Sequence, residues 1–435
     1  MTYSEALIYL GQMRRFGMKL GLEPMRDLAR ALGSPQEKLR FIHLAGTNGK
    51  GSTAAFCESS LRASGLRVGL YTSPHLVSVR ERIQIGRQPI STDDFGEGMG
   101  VVREKLEQQK DHETTFFELM TALALWYFAR EKVDWVVWET GLGGRLDATN
   151  IVRPEICIIT NIGLDHQQYL GESLREIAAE KAGILKPGVP VISAVEDGEA
   201  TVVIREAAQA LGCALILVQR DMEVENLGLR GNKQMARIEE SELALGLIGP
   251  HQISNAACAV AALRQLNISE EAIARGLENT VWPGRFEILS EKPLIVLDGA
   301  HNPAGVAMLV ETWRAFLASR GTDARARLVF ATVTDKDISE MAQRLGSLAQ
   351  EVLLVRLANE RSAEPARLAP FFPGLPCTCY DSVSAAWQNL LSAGPESITL
   401  ITGSLFLVGE MLALRQGNAE EYQHNERLEK LAVNR

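Results

Sequence analysis

The stretch that decides the fold is FIHLAGTNGKGSTAA, Phe41 to Ala55. A short apolar run reads as a strand, the turn Gly46-Thr47-Asn48-Gly49-Lys50-Gly51-Ser52 follows, and a helical period begins at once. Glycines let the backbone turn its N–H groups inward, so several amides and a helix N-terminus face one anion. Lys50 would reach the outer phosphates of a nucleotide, and Ser52 or Thr53 would offer a hydroxyl to phosphate or to magnesium. The stretch is not a strict GxxxxGK[ST] loop, which requires glycine where Leu44 stands and a hydroxyl residue where Gly51 stands. Strand, glycines, lysine and hydroxyls nevertheless come in the order a phosphate site needs.

Outward from this loop, apolar β-rich runs alternate with helical periods almost throughout, which predicts an α/β architecture with parallel strands. The runs predict strands over 41–44, 68–71, 135–138, 156–160, 190–192 and 215–218, then over 294–297, 327–331, 351–356 and 398–401. Helices are expected over 52–64, 117–130, 174–182, 254–266, 305–319 and 382–391, with a charged helix and tail after Val408. Trp282-Pro283-Gly284 separates the two series, so residues 1–282 and 283–435 are expected to form a larger nucleotide-binding domain and a smaller doubly wound one.

Composition narrows the function. The opening MTYSEALIYLGQMRRFGMKLGLEPM reads as amphipathic helix and loop, and no run approaches the length of a membrane span, so the cytoplasm is expected. Of Cys57, Cys157, Cys213, Cys258, Cys377 and Cys379 only the last two are close, and no zinc-ligand spacing appears; they read as thiols in a reducing compartment. A net charge of −9 with no basic, aromatic-laced run argues against nucleic acid as a partner. Anionic substrates then require a site that is basic locally.

GTNGKGS resembles the ATP loop of the Mur ligase superfamily, and the wider string is similar to its folylpolyglutamate synthase and dihydrofolate synthase branch. The resemblance continues in order through FGMKLGLEPM, YTSPHLVSVRERI, ETGLGGRLDATN, TNIGLDHQQYLG, IAAEKAGILK, GPHQISNAA, WPGRFE, LDGAHNPAG, TDKD and TGSLFLVGE. ATVTDKD lacks the glycine common before the family's DKD, which bears on local loop geometry. The family implies a P-loop nucleotide-binding domain with a mostly parallel sheet, followed by a Rossmann-like domain. It implies ATP-dependent addition of L-glutamate to tetrahydrofolate, or also to dihydropteroate, through an acyl phosphate. A monomer is expected. Cell-wall Mur ligases carry a separate domain for their UDP-sugar, and cyanophycin synthetases a further catalytic domain; residues 1–45 before the loop leave room for neither. A nucleotide-switched binding protein would explain Gly46–Ser52 but give no role to Glu139, His166, Lys181 and Arg285.

Glu139 ends VDWVVWE, directly before Gly141–Gly144, where α/β ligand sites form. His166 follows another strand and by itself reads as a structural hydrogen-bonder. The resemblance assigns magnesium to Glu139, His166 and Ser73, and an imidazole ligand leaves room for manganese. Lys181, among alanines on a helix, reads as a surface lysine. The resemblance implies that carbon dioxide carbamylates it, which requires a neutral amine and hence a depressed pKa.

For ATP the resemblance implies Asn48, Gly49, Lys50, Gly51 and Ser52, with Asn255, Arg285 and Asp298, and it places His301 near the reacting groups. Ser254 or Asn255 also suits a helix N-cap. Arg285, at the hinge, would reach the transferring phosphate when the domains close. Phe117-Glu118 and Leu146-Asp147-Ala148 are expected to hold the pterin and aminobenzoate end. Arg80 and Arg82 belong to a loop that could meet an anionic substrate, while Pro303 and Gly305 read as helix-start and packing residues.

Overall fold

All five residues of strand β1, Phe41–Ala45, are buried, so both faces must be covered. The computed structural model, which describes residues 1–13, 21–108, 114–334, 337–418 and 421–422, supplies that cover with helices. Parts of FGMKLGLEPM and TDKD, and most of the charged tail, lie outside the described residues. After β1 come β2 (Val68–Tyr71), β3 (Ile83–Ile85), β4 (Gln88–Pro89), β5 (Trp135–Glu139), β6 (Ile156–Ile159), β7 (Val191–Ser193) and β8 (Leu215–Leu217). They form one sheet in the order β4-β3-β2-β5-β1-β6-β7-β8, parallel except at the β2-β3-β4 edge. A separate antiparallel sheet follows, β11-β10-β9, from β9 (Val224–Arg230), β10 (Lys233–Ile238) and β11 (Ser241–Leu245).

The last six strands are β12 (Glu287–Glu291), β13 (Leu294–Leu297), β14 (Ala326–Phe330), β15 (Ala349–Val355), β16 (Cys377–Tyr380) and β17 (Ile398–Thr402). Their order is β12-β13-β17-β14-β15-β16, with only β12 antiparallel to its neighbour. Helices Pro303–Ser319 and Leu405–Gln416 leave β13 and β17 respectively, as a doubly wound sheet requires. The α/β class and the parallel core of both sheets agree with the sequence reading.

The differences have physical causes. Apolar runs miss β3, β4, β9, β10, β11, β12 and β16, because these are short, edge or ribbon strands, most with partly exposed residues. The helix expected from Ser254 begins at Pro250, on Gly249 as N-cap and with no side-chain cap bond. Neither Ser254 nor Asn255 is a cap, and Pro250 at the first helical position was the signal to follow. Among the described residues no helix is long and apolar enough to cross a membrane. All six cysteines are unpaired, with Cys57, Cys157 and Cys258 buried.

Small residues bring the helices against the sheet closely. The helix Pro250–Gln265 packs its alanines on Lys50–Ala63, and Glu270–Glu278 crosses the same helix at Gly276. A Cβ at Gly276 would stand 2.2 Å from the Ser60 Cα, which is backbone and cannot swing away. Gly276→Ala should therefore lower the urea midpoint, by the equivalent of roughly 1–3 kcal/mol of unfolding free energy, in spite of alanine's better helix propensity. An unchanged midpoint would contradict this packing.

Candidate active site

The C-terminal ends of β1, β5 and β6 in one sheet face those of β13 and β17 in the other, across a cavity of about 1380 Å³. Most residues predicted for the site line it; Thr53 and Arg80 do not, and Lys181 lies behind the phosphate loop.

The loop itself is pinned from outside. Gly46 has no room for a side chain, since a Cβ would fall 1.9 Å from Thr160 Oγ1. That hydroxyl donates to Asn48 O at 2.6 Å, and Asn48 N–H donates to Asn161 Oδ1 at 2.7 Å. The helix Lys50–Ala63 then starts on Gly49, at φ +84° and without a side-chain cap, so its first N–H groups are available to an anion. Gly49 is also where Asn255 approaches: a Cβ there would stand 2.3 Å from Asn255 Oδ1. Asn255 is buried one turn into its helix and donates to Gln252 Oε1 at 2.9 Å, so its place is beside the loop rather than at the cap.

Two lysines converge on one carbonyl. Lys50 Nζ donates to Gly46 O at 2.9 Å and to Thr47 O at 3.2 Å, while Lys181 Nζ donates to Gly46 O at 2.9 Å. Lys181 is buried, not a surface lysine, because its stretch of helix is pressed against the back of the loop. Burial, and then the charge of Lys50, pull its ammonium down to about 7. An alanine-rich helix gives no sign of this, since the cause lies 135 residues away.

Glu139 is the buried acid opposite. Its Oε2 accepts from Ser73 N–H at 3.0 Å, and burial pushes its carboxyl up to about 7 against the pull of Lys50, the Ser73 N–H, Arg285 and Arg82. A carboxyl so buried is short of positive charge. Among the described residues no three His, Cys, Asp or Glu side chains converge on a point. His166 lines the same cavity but is half exposed and turned toward Asp165, with 3.9 Å between Nε2 and Oδ1. Glu139 with the Ser73 hydroxyl is an incomplete oxygen set, which suits a cation that keeps waters and takes phosphate oxygens. The residues present fit magnesium.

From the second sheet, Asp298 fastens the turn that carries Arg285: its two oxygens accept from Phe286 N–H and Ala300 N–H, each at 2.8 Å. His301 donates from Nδ1 to Gly299 O at 2.8 Å. Arg285 lines the cavity between these groups and the phosphate loop. At the other end, the Phe117 ring covers Gly141, where a Cβ would meet it at 2.6 Å. Leu146 and Ala148 continue that apolar wall. Two carboxylates read as contacts are already engaged. Glu118 accepts from Thr115 N–H and hydroxyl at 2.8 and 2.9 Å, closing a capping box. Asp147 accepts from Gly141 N–H and Leu142 N–H at 2.9 and 2.8 Å, and from Thr149, clamping the glycine loop.

Of the two arginines after SPHL, Arg82 lines the cavity and donates to His75 Nδ1 at 2.9 Å. Arg80 does not; it pairs with Glu421. Sequence reasoning assigned no role to Thr160, Asn161 or the Asn359–Arg361 stretch, which also borders the cavity. The string TNIG contains the first two, but their work is to hold a distant loop.

Residues 44–263 match the Mur ligase middle domain, and residues 284–405 the Mur ligase glutamate ligase domain. The fold and its shared cleft are thus those of a Mur-type ligase. The Bacillus subtilis dihydrofolate synthase/folylpolyglutamate synthase is 37% identical over 94% of this chain and 98% of its own. The structure of Escherichia coli FolC in complex with DHPP and ADP superposes with a TM-score of 0.84, at 31% identity, covering 96% of this chain and 98% of that one. A bifunctional folylpolyglutamate synthase/dihydrofolate synthase from Yersinia pestis, complexed with AMPPNP and Mn ion, gives 0.83 at 32% identity over 96% and 98%. The chain belongs to the folylpolyglutamate synthase/dihydrofolate synthase branch of the Mur ligase family.

The buried acid makes a pH prediction for protein kept free of divalent cations. The folded state holds a proton on Glu139 up to about pH 7, whereas the unfolded chain releases it near 4.5, so stability falls as pH rises between these values. Glu139→Gln removes that loss. In urea titrations the variant should exceed the parent by up to ~3 kcal/mol above pH 7, with the difference vanishing in acid. A parent as stable as the variant at pH 8 would rule this out.

Proposed function

We propose that this protein joins L-glutamate to a folate, with ATP converted to ADP and phosphate, and that it accepts both tetrahydrofolate and dihydropteroate. The observation that carries the reading is the Lys50–Lys181 pair on Gly46 O, with Glu139 and Arg285 lining the cavity beside it. The cavity is built for anions within a protein of net charge −9.

A carboxylate is a poor electrophile. Its oxygen attacks the γ-phosphorus of ATP, the bond to the β-phosphate oxygen breaks, and an acyl phosphate results. The neutral amine of glutamate then adds to the acyl carbon. The C–O bond to phosphate breaks with its electron pair going to the phosphate oxygen, and the nitrogen gives up a proton to leave the amide. Inward N–H groups of Asn48 to Ser52 hold the phosphates, and Lys50 turns from Gly46 O to the transferring group. Arg285 approaches from the hinge, with Asp298 fixing the backbone that carries it. His301 lies near the same centre, and Asn255 holds the nucleotide at Gly49. Magnesium, or manganese, when bound by Glu139, Ser73 and His166, neutralises the approach of two anions.

Lys181 is proposed to carry a carbamate. Its amine, brought down to about 7, is substantially neutral at physiological pH, so its lone pair can bond carbon dioxide with loss of a proton. The product is an anion beside Lys50, placed to help hold a second cation. Phe117, Leu146 and Ala148 supply an apolar wall for the pterin and aminobenzoate, while Glu118 and Asp147 shape it. Residues 1–282 are proposed to bind ATP, and 283–435 to complete the site on closure. Unpaired cysteines suit the reducing environment of the cytoplasm, and a monomer is proposed on the family resemblance alone.

Purified protein offered dihydropteroate and tetrahydrofolate separately should incorporate glutamate into both, with one phosphate released per amide. Phosphate release that ignores glutamate would overturn the ligase reading. Lys181→Ala should lower kcat on the order of a hundredfold and recover in part with a short carboxylic acid.

A further inference from the structure

Between β2 and β3 the chain leaves the cavity and returns to it. Ser73 and Pro74 line the cavity, Leu76 and Val77 pack into the core of the second sheet, and Arg82 lines the cavity again. Val77 is 3% exposed, in a cluster with Ile295, Leu297 and Val408. The fit is close: a Cβ at Gly409 would stand 2.3 Å from the Leu76 carbonyl oxygen.

Two residues beyond the helix Leu405–Gln416 hold this segment from its other side. Glu421 accepts from the Ser78 hydroxyl, from Arg80 Nε and Nη2 at 3.1 and 3.3 Å, and from the Tyr3 hydroxyl at 3.3 Å. Both charged side chains are 23% exposed, so water screens the pair less than an open surface pair. Tyr422 is buried, and its hydroxyl donates to the carbonyl of Phe406, a residue that lines the cavity. Glu421 thus grips the segment from the first sheet while Tyr422 is seated on the second.

We propose that Glu421 and Tyr422 are a latch that positions the Ser73–Arg82 segment over the cavity, and so act as positioning residues for ligation. Neither lines the cavity. Their effect passes through Ser73, whose N–H is bonded to Glu139, and through Arg82. Release of the segment moves a donor away from the buried carboxylate and a guanidinium away from the substrate space, with the phosphate loop left as it was. The part of this proposal that concerns turnover rests on the ligase reading.

The test compares full-length parent, Glu421→Gln, Glu421→Asp, Arg80→Ala and the Glu421→Gln/Arg80→Ala double variant. Steady-state constants are measured for ATP and for the folate acceptor, with thermal midpoints and amide hydrogen exchange over residues 73–82. Glu421→Gln should lower kcat/KM for the acceptor about tenfold, with the midpoint held, because a small displacement at a reacting centre has a large kinetic effect. Exchange over 73–82 should quicken, Glu421→Asp should recover part of the loss, and the double variant should be no worse than the poorer single one. Unchanged constants and exchange in Glu421→Gln would overturn the latch, as would constants for ATP and acceptor that worsen together with the midpoint. If the parent forms no amide while exchange still quickens, the ligase reading fails and the hold of Glu421 on the segment stands.

Discussion

One carbonyl oxygen, that of Gly46, receives two lysine ammonium groups, and the rest of the site is arranged around that crowding. Like charges so near each other in a poorly solvated place repel. The protein answers in two ways: burial, and then the charge of Lys50, lower the proton affinity of Lys181 to about 7, so a substantial share of its amine is neutral at pH 7, and Lys50 keeps a second acceptor in Thr47 O. A polyphosphate arriving at the loop relieves the same repulsion. The nucleotide therefore binds to a site already short of negative charge, beside an acid, Glu139, that is short of positive charge.

Both deficits follow from the sheets. Parallel strands buried on two faces place their carboxyl ends at one rim, where helices begin and N–H groups point outward. Glu139 sits at that rim because β5 ends there, and Lys50 because the turn after β1 is too short to carry it elsewhere. The second sheet presents its own rim with Asp298 and the start of the helix Leu405–Gln416. Neither rim alone encloses the reacting groups, and the cleft between them does.

Much of this was legible in the chain. The phosphate loop could be read because glycines, lysine and hydroxyls at fixed offsets leave few other structures, and Glu139 because it closes an apolar run. The ligation itself came from the family resemblance, since residue types alone indicate a nucleotide site and no more. The burial of Lys181 was illegible: its helix is ordinary, and the desolvating loop is far away in sequence. The start of the helix at Pro250 was misplaced because polar residues at 254 and 255 looked like caps, when Asn255 is instead pressed against Gly49. Glu118 and Asp147 line the cavity, but their carboxylates hold backbone. Arg80 was expected near substrate, and its partner is 341 residues distant, beyond the reach of any local pattern.

The most direct measurement is a crystal structure with a non-hydrolysable ATP analogue and manganese, located by its anomalous scattering. The account predicts a cation between Glu139 and the terminal phosphate, with Lys50 Nζ moved from Gly46 O to a phosphate oxygen and Lys181 behind it. A terminal phosphate remote from Glu139 and Lys181, with no cation between, would contradict it.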